Sequence, residues 1–145
     1  MPQGTKLDLW LFVLMINDLD TNAQQWKYVD NTTVSEVIVK GGESHVQAIA
    51  NRVIAWSREN RVQLNDDKCK ELRISFAEEQ RVFDPVIMEG KEVELVSSSK
   101  LLGLTIANDL TWNFHVTEIT KKASKRLYFL TQLKKAGVPK QDLAL

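Results

Sequence analysis

The chain has a single cysteine, Cys69. No internal disulfide can form, and a reducing compartment is the default expectation. Charge of one sign is lacking too: 19 Lys and Arg balance 19 Asp and Glu, so overall charge selects no partner. There is no long hydrophobic run. The apolar stretch 9–16 falls short of the roughly 20 residues a bilayer span requires, and no basic segment or small-residue cleavage site flanks it as in a signal peptide. Internal repeats and low-complexity segments are absent. The expectation is an intracellular protein, of nucleus or cytoplasm, that does not engage membranes.

What is present is ordinary for a soluble globular chain: 145 residues, 43% hydrophobic and 26% charged, enough for one domain with a core. The charge is unevenly placed. Glu78, Glu79, Asp84, Glu89, Glu92 and Glu94 make an acidic middle; Lys121, Lys122, Lys125, Arg126, Lys134 and Lys135 make a basic end.

Patterning predicts an α+β chain. Residues 7–19 are apolar on every side, which marks a fully buried element, although periodicity alone does not separate helix from strand. Trp26, Tyr28, Val29 and then Thr32, Thr33, Val34 and Val37 are strand formers on either side of Asp30 and Asn31, two residues that tolerate a hairpin turn. Ser44 and Gln47 have capping-box spacing. Val46, Ile49, Ala50, Val53 and Ile54 follow as one helical stripe, with Asn60 as its left-handed terminator and His45 solvated in its first turn.

Residues 62–76 read as strand, turn and strand. Asn65, Asp66, Asp67 and Lys68 form the turn, the two aspartates are solvated, and Leu72, Ile74 and Phe76 alternate. A hairpin is expected over 82–96 with Glu89, Gly90 and Lys91 at its turn, then one strand over 100–106, broken by Asn108 and Asp109. From 112 to 135 the spacing is helical: Val116, Ile119, Ala123, Leu127 and Leu130 share a face opposite Lys121, Lys122 and Lys125. Gly137 and Pro139 end this helix, and 141–145 has the pattern of another helix beginning.

A carboxylate at the tip of a hairpin suits a hard cation such as Mg²⁺, which takes oxygen ligands; taken alone, Asp30 and Asn31 are an ordinary turn. Their company is informative. In chain order come Pro2, Gln3 and Gly4; Ile16, Asn17, Asp18 and Leu19; Tyr28 through Asn31; Asn65 with Lys68; Leu102 and Gly103; and a terminal helix. Together they resemble the second half of a reverse transcriptase of the non-LTR, LINE-like retrotransposon type.

The resemblance implies part of a right-hand polymerase palm over 1–107, an antiparallel sheet with packed helices, followed by the start of a thumb over 108–145. It implies an RNA template, a DNA primer and a dNTP as partners, and Mg²⁺ as cofactor. Pro2, Gln3, Gly4 and Tyr28 would face template and nucleotide. Asp30 and Asn31 would be the metal-site pair, with Asp30 the metal ligand, and Lys68 would protonate the leaving group. Leu102 and Gly103 would grip the primer, and Lys121, Lys122, Lys125 and Arg126 would follow the nucleic-acid backbone.

The pattern departs in places. Asp8 and Leu9 stand where the family often has Gly-Pro, and Asn31 replaces a second aspartate. The upstream aspartate and the fingers have no counterpart. A two-metal site needs several carboxylates to offset two adjacent dications, so the expectation is a polymerase fragment that does not extend a primer alone. Two alternatives stand beside it: a non-catalytic nucleic-acid binder using the basic helix face, and an α+β domain without retained function.

Overall fold

In the computed structural model, residues 6–77 and 81–139 are described. Pro2, Gln3, Gly4, Glu78, Glu79 and the stretch 141–145 lie outside them. The elements, in order, are α1 (Lys6–Asn17), β1 (Gln24–Tyr28), β2 (Asn31–Ser35), α2 (Val46–Glu59), a 3-10 turn (Asp66–Lys68), β3 (Lys70–Leu72), β4 (Ile87–Met88), β5 (Lys91–Glu92), β6 (Glu94–Val96), β7 (Ser98–Leu101), β8 (Leu104–Ala107) and α3 (Asn113–Lys135). The strands pair two by two: β1 with β2, β3 with β6, β4 with β5, and β7 with β8.

This differs from the expected single antiparallel sheet, and the turns supply the reason. Between β4 and β5, Glu89 and Gly90 both have positive φ, 50° and 81°. Between β7 and β8, Leu102 and Gly103 do the same, at 48° and 91°. Two consecutive left-handed residues give the tight turn whose twist matches a hairpin. β4 is thereby returned onto β5, and β7 onto β8. The strand expected over 100–106 is accordingly a hairpin, with Leu102 and Gly103 at its tip and not within a strand. The strand through Ile74 and Phe76 ends early, at Leu72, and both side chains are exposed.

The chain divides into two compact units: Met1–Glu71 with Arg81–Leu95, and Leu72–Gln80 with Val96–Leu145. The hairpin β7–β8 therefore groups with α3, on the other side of the expected boundary at 107/108.

In the first unit, α1 is a helix, as length suggests, but it is not buried all round. Ile16 is buried, whereas Trp10 and Leu14 are 70% and 66% exposed, and Leu11 and Val13 are exposed as well. Its C-terminal end is engaged. There Lys27 Nζ donates to Asn17 O at 3.1 Å and to Leu19 O at 2.5 Å, and Gln25 Nε2 donates to Leu19 O at 3.1 Å. Lys27 thus meets the last carbonyl of the helix, at Asn17, and both side chains hold the turn that follows it.

The hairpin β1–β2 runs in register from Gln24↔Ser35 to Tyr28↔Asn31. Its two-residue loop is Val29 and Asp30, so the tip sits one residue earlier than expected and Asn31 opens β2. The left-handed residue is Val29, φ 53°.

Helix α2 buries Ile49, Ala50 and Ser57, on the side its apolar stripe predicts. Its N-terminus is capped differently from a Ser–Gln box. Glu36 accepts from His45 N at 2.7 Å and from Ser44 Oγ at 3.0 Å, placing a carboxylate at the positive end of the helix dipole. Gln47 is thereby released to bind the Ile87 backbone twice: its Nε2 donates to Ile87 O at 2.9 Å, and its Oε1 accepts from Ile87 N at 2.8 Å. At the C-terminal end, Asn60 has φ −87° and Arg61, at 54°, takes the left-handed place instead. Asp66 and Asp67 are ion partners of Lys91, at 2.7 and 3.3 Å. Lys70 pairs with Glu94.

In the second unit, Ala107 is the buried apolar side chain among the described residues. Gly137, φ 81°, closes α3: its N–H donates to Lys134 O at 3.1 Å, and Val138 N donates to Leu133 O at 3.1 Å. Those two bonds make a Schellman close, in the Gly-then-Pro order the sequence predicts.

Candidate nucleic-acid interface

Helix α3 carries six basic residues and one acidic one. At 100° per residue, Lys121, Lys125, Lys122 and Arg126 fall in order across one side of the helix, and all four are exposed. Lys122 Nζ lies 3.4 Å from Glu118 Oε1; Lys121, Lys125 and Arg126 form no ion pair among the described residues. Phe129 lies four residues after Lys125 and three after Arg126, so the ring stands within the basic face. Tyr128 is beside it, with ring centroids 6.0 Å apart and edge-on at 70°. Both rings are 61% exposed.

The helix is held at its beginning. The Thr105 backbone N–H donates to His115 Nδ1 at 3.2 Å. Glu118 accepts from Thr105 Oγ1 at 2.9 Å and from Lys100 Nζ at 3.3 Å. Trp112 packs edge-on against His115, centroids 5.8 Å apart. The Thr105 hydroxyl first, then Lys100 and Lys122, pull the Glu118 carboxyl from its ordinary 4.5 down to about 2. Sequence reasoning missed Glu118. The available signal was its position: the lone acid of the helix, four residues before Lys122.

Of the remaining expected site residues, Tyr28, Asp30 and Asn31 meet at the end of the hairpin β1–β2. Asp30 is exposed on the hairpin loop, and its carboxylate accepts from Asn31 Nδ2 at 3.3 Å. Tyr28 is exposed at the end of β1, and Lys68 is exposed at the end of the 3-10 turn. No three His, Cys, Asp or Glu side chains come together to hold a metal ion among the described residues. Asp30 and the neutral amide of Asn31 do not fit the charge demand of Mg²⁺ chemistry with paired ions. No helix of the described residues is long and apolar enough to cross a membrane.

A family model described as alkylated DNA repair protein alkB homolog 8, N-terminal, matches residues 112–144. This segment contains all of α3 and makes up less than a quarter of the chain. The match corrects the reverse-transcriptase resemblance. The reading as a fragment of an RNA-directed DNA polymerase from a LINE-like retrotransposon is withdrawn with it. Its motifs were short and scattered along the chain, whereas this match is continuous through the longest helix. Among curated proteins and among solved structures, neither comparison returned a match.

Proposed function

We propose that the chain binds nucleic acid without catalysing a reaction on it, through the basic and aromatic face of α3. One observation carries the reading: Lys121, Lys122, Lys125 and Arg126 lie exposed on one side of a helix with Phe129 exposed among them and Tyr128 exposed at their edge. Lysine and arginine neutralise phosphates without reading sequence. Exposed rings offer base stacking, which favours single strands over duplexes, where bases are already stacked. The family match supports the same partner class, since it covers these residues and its description names repair of alkylated DNA.

The experiment is fluorescence anisotropy with labelled single-stranded RNA, single-stranded DNA and duplex DNA. Reversal of Lys121, Lys122, Lys125 and Arg126 to Glu abolishes binding to all three. Phe129→Ala weakens single-strand binding by about 1–2 kcal/mol and leaves duplex binding nearly unchanged. Undiminished affinity in the charge-reversed variant removes α3 as the site.

A further inference from the structure

We propose that α3 has a second interaction surface: its apolar stripe docks an amphipathic helix whose flank carries carboxylates facing Lys122 and Arg126. Val116, Ile119, Ala123, Leu127 and Leu130 follow one another at intervals of three and four, the spacing of a helix-packing seam. No described residue of α3 is buried. Val116 is 56% exposed, Ile119 50% and Leu127 66%. The ties that hold the helix, through His115 and Glu118, are made by its first turns toward β8 and leave the stripe open.

Charge selects the occupant. Seen down the helix, Lys122 and Arg126 border the stripe on one side, while Thr120, Ser124 and Thr131 border it on the other. An antiparallel second copy sets each flank against its own kind, so cation meets cation. A parallel second copy sets cations against hydroxyls and gains no ion pair. A foreign helix with Glu or Asp along the facing flank pairs both cations while its own apolar side covers the stripe. Lys122 and Arg126 serve both surfaces, so the two readings are separated at the stripe itself, where Ile119 and Leu127 take no part in the nucleic-acid face.

The test uses the full chain and three synthetic peptides of about three heptads. One has leucine at the seam and glutamate on the flanks, one has the same seam with lysine on the flanks, and one is a scramble of the acidic peptide without a seam. Calorimetry is expected to show binding of the acidic helix alone. Ile119→Ser with Leu127→Ser weakens it at least about tenfold, as does Lys122→Glu with Arg126→Glu. Circular dichroism confirms that the helix persists, and the serine pair leaves nucleic-acid binding intact. Equal binding of the acidic and lysine helices, or of the acidic helix and its scramble, overturns the proposal. So does a dimer of the chain alone by light scattering, abolished by the serine pair. Binding to phosphatidylserine vesicles with none to the acidic helix overturns it in favour of a lipid surface.

Discussion

Glu118 shows how a single side chain connects the hairpin to the interface. Its carboxylate accepts from Thr105 and Lys100 and faces Lys122, and these partners hold its pKa near 2. The folded-state value lies below the ordinary 4.5, so the folded form binds fewer protons than the unfolded one between the two values. The stabilisation is fully present above about 4.5 and is lost as pH falls toward about 2. Glu118→Gln is expected to lower the thermal midpoint at neutral pH and to flatten its acid-side decline. Unfolding curves from pH 7 to pH 2 on both proteins check this; parallel declines would show that other carboxylates set the slope. The half-exposed position of Glu118 keeps the effect modest and sensitive to salt. Cys69 is affected in the opposite sense: burial raises its thiol pKa, and a thiol kept protonated is a slow nucleophile.

At the level of elements, the clearest strain is in the hairpin β1–β2. Val29 has φ 53°, a left-handed conformation that a β-branched side chain adopts at a cost. Asn tolerates that region and, unlike Gly, adds little backbone freedom to the unfolded chain. Val29→Asn is therefore expected to stabilise the first unit by roughly 1 kcal/mol, read from the midpoint of urea unfolding; a lower midpoint would mean that Val29 makes packing contacts worth more than the strain. The hairpin itself was legible in the sequence because strand formers flank a polar pair. Its exact tip was not, since a valine in the left-handed place breaks the local preference on which such readings depend. Helices α2 and α3 were legible from their stripes, and the end of α3 from Gly137 and Pro139. The hairpin β7–β8 was missed for the same reason as the tip of the first one: Leu102, a poor residue for positive φ, occupies half of its turn. The exposure of α1 was missed because an all-apolar pattern says what a helix can bury, and not whether a neighbour arrives to bury it.

For the whole molecule, equal numbers of acids and bases mean that no net monopole draws a polyanion in from a distance. Attraction must come from the local surplus on α3. The basic face was legible from residue spacing; its anchoring through Thr105 was not, because it depends on β8 arriving beside the first turns of the helix. Locality makes the salt dependence quantitative. Four cations meeting the phosphates of a single strand release counterions with a log–log slope of about −2.8, so affinity falls roughly fiftyfold between 50 and 200 mM salt. Recruitment of Lys134 and Lys135 steepens the slope to about −4.2. The pairing of Lys122 with Glu118 works against this, since one contact is already partly neutralised in the free protein. Glu118→Gln is then expected to tighten binding slightly at low salt even as it loosens the fold, a combination that a purely structural role for the residue does not produce. Anisotropy titrations at a series of salt concentrations, on the chain as it stands, on Glu118→Gln and on the four-fold charge reversal, provide the check. Affinity that does not change with salt, or a slope that survives the reversal, would mean that the nucleic acid is held somewhere other than α3.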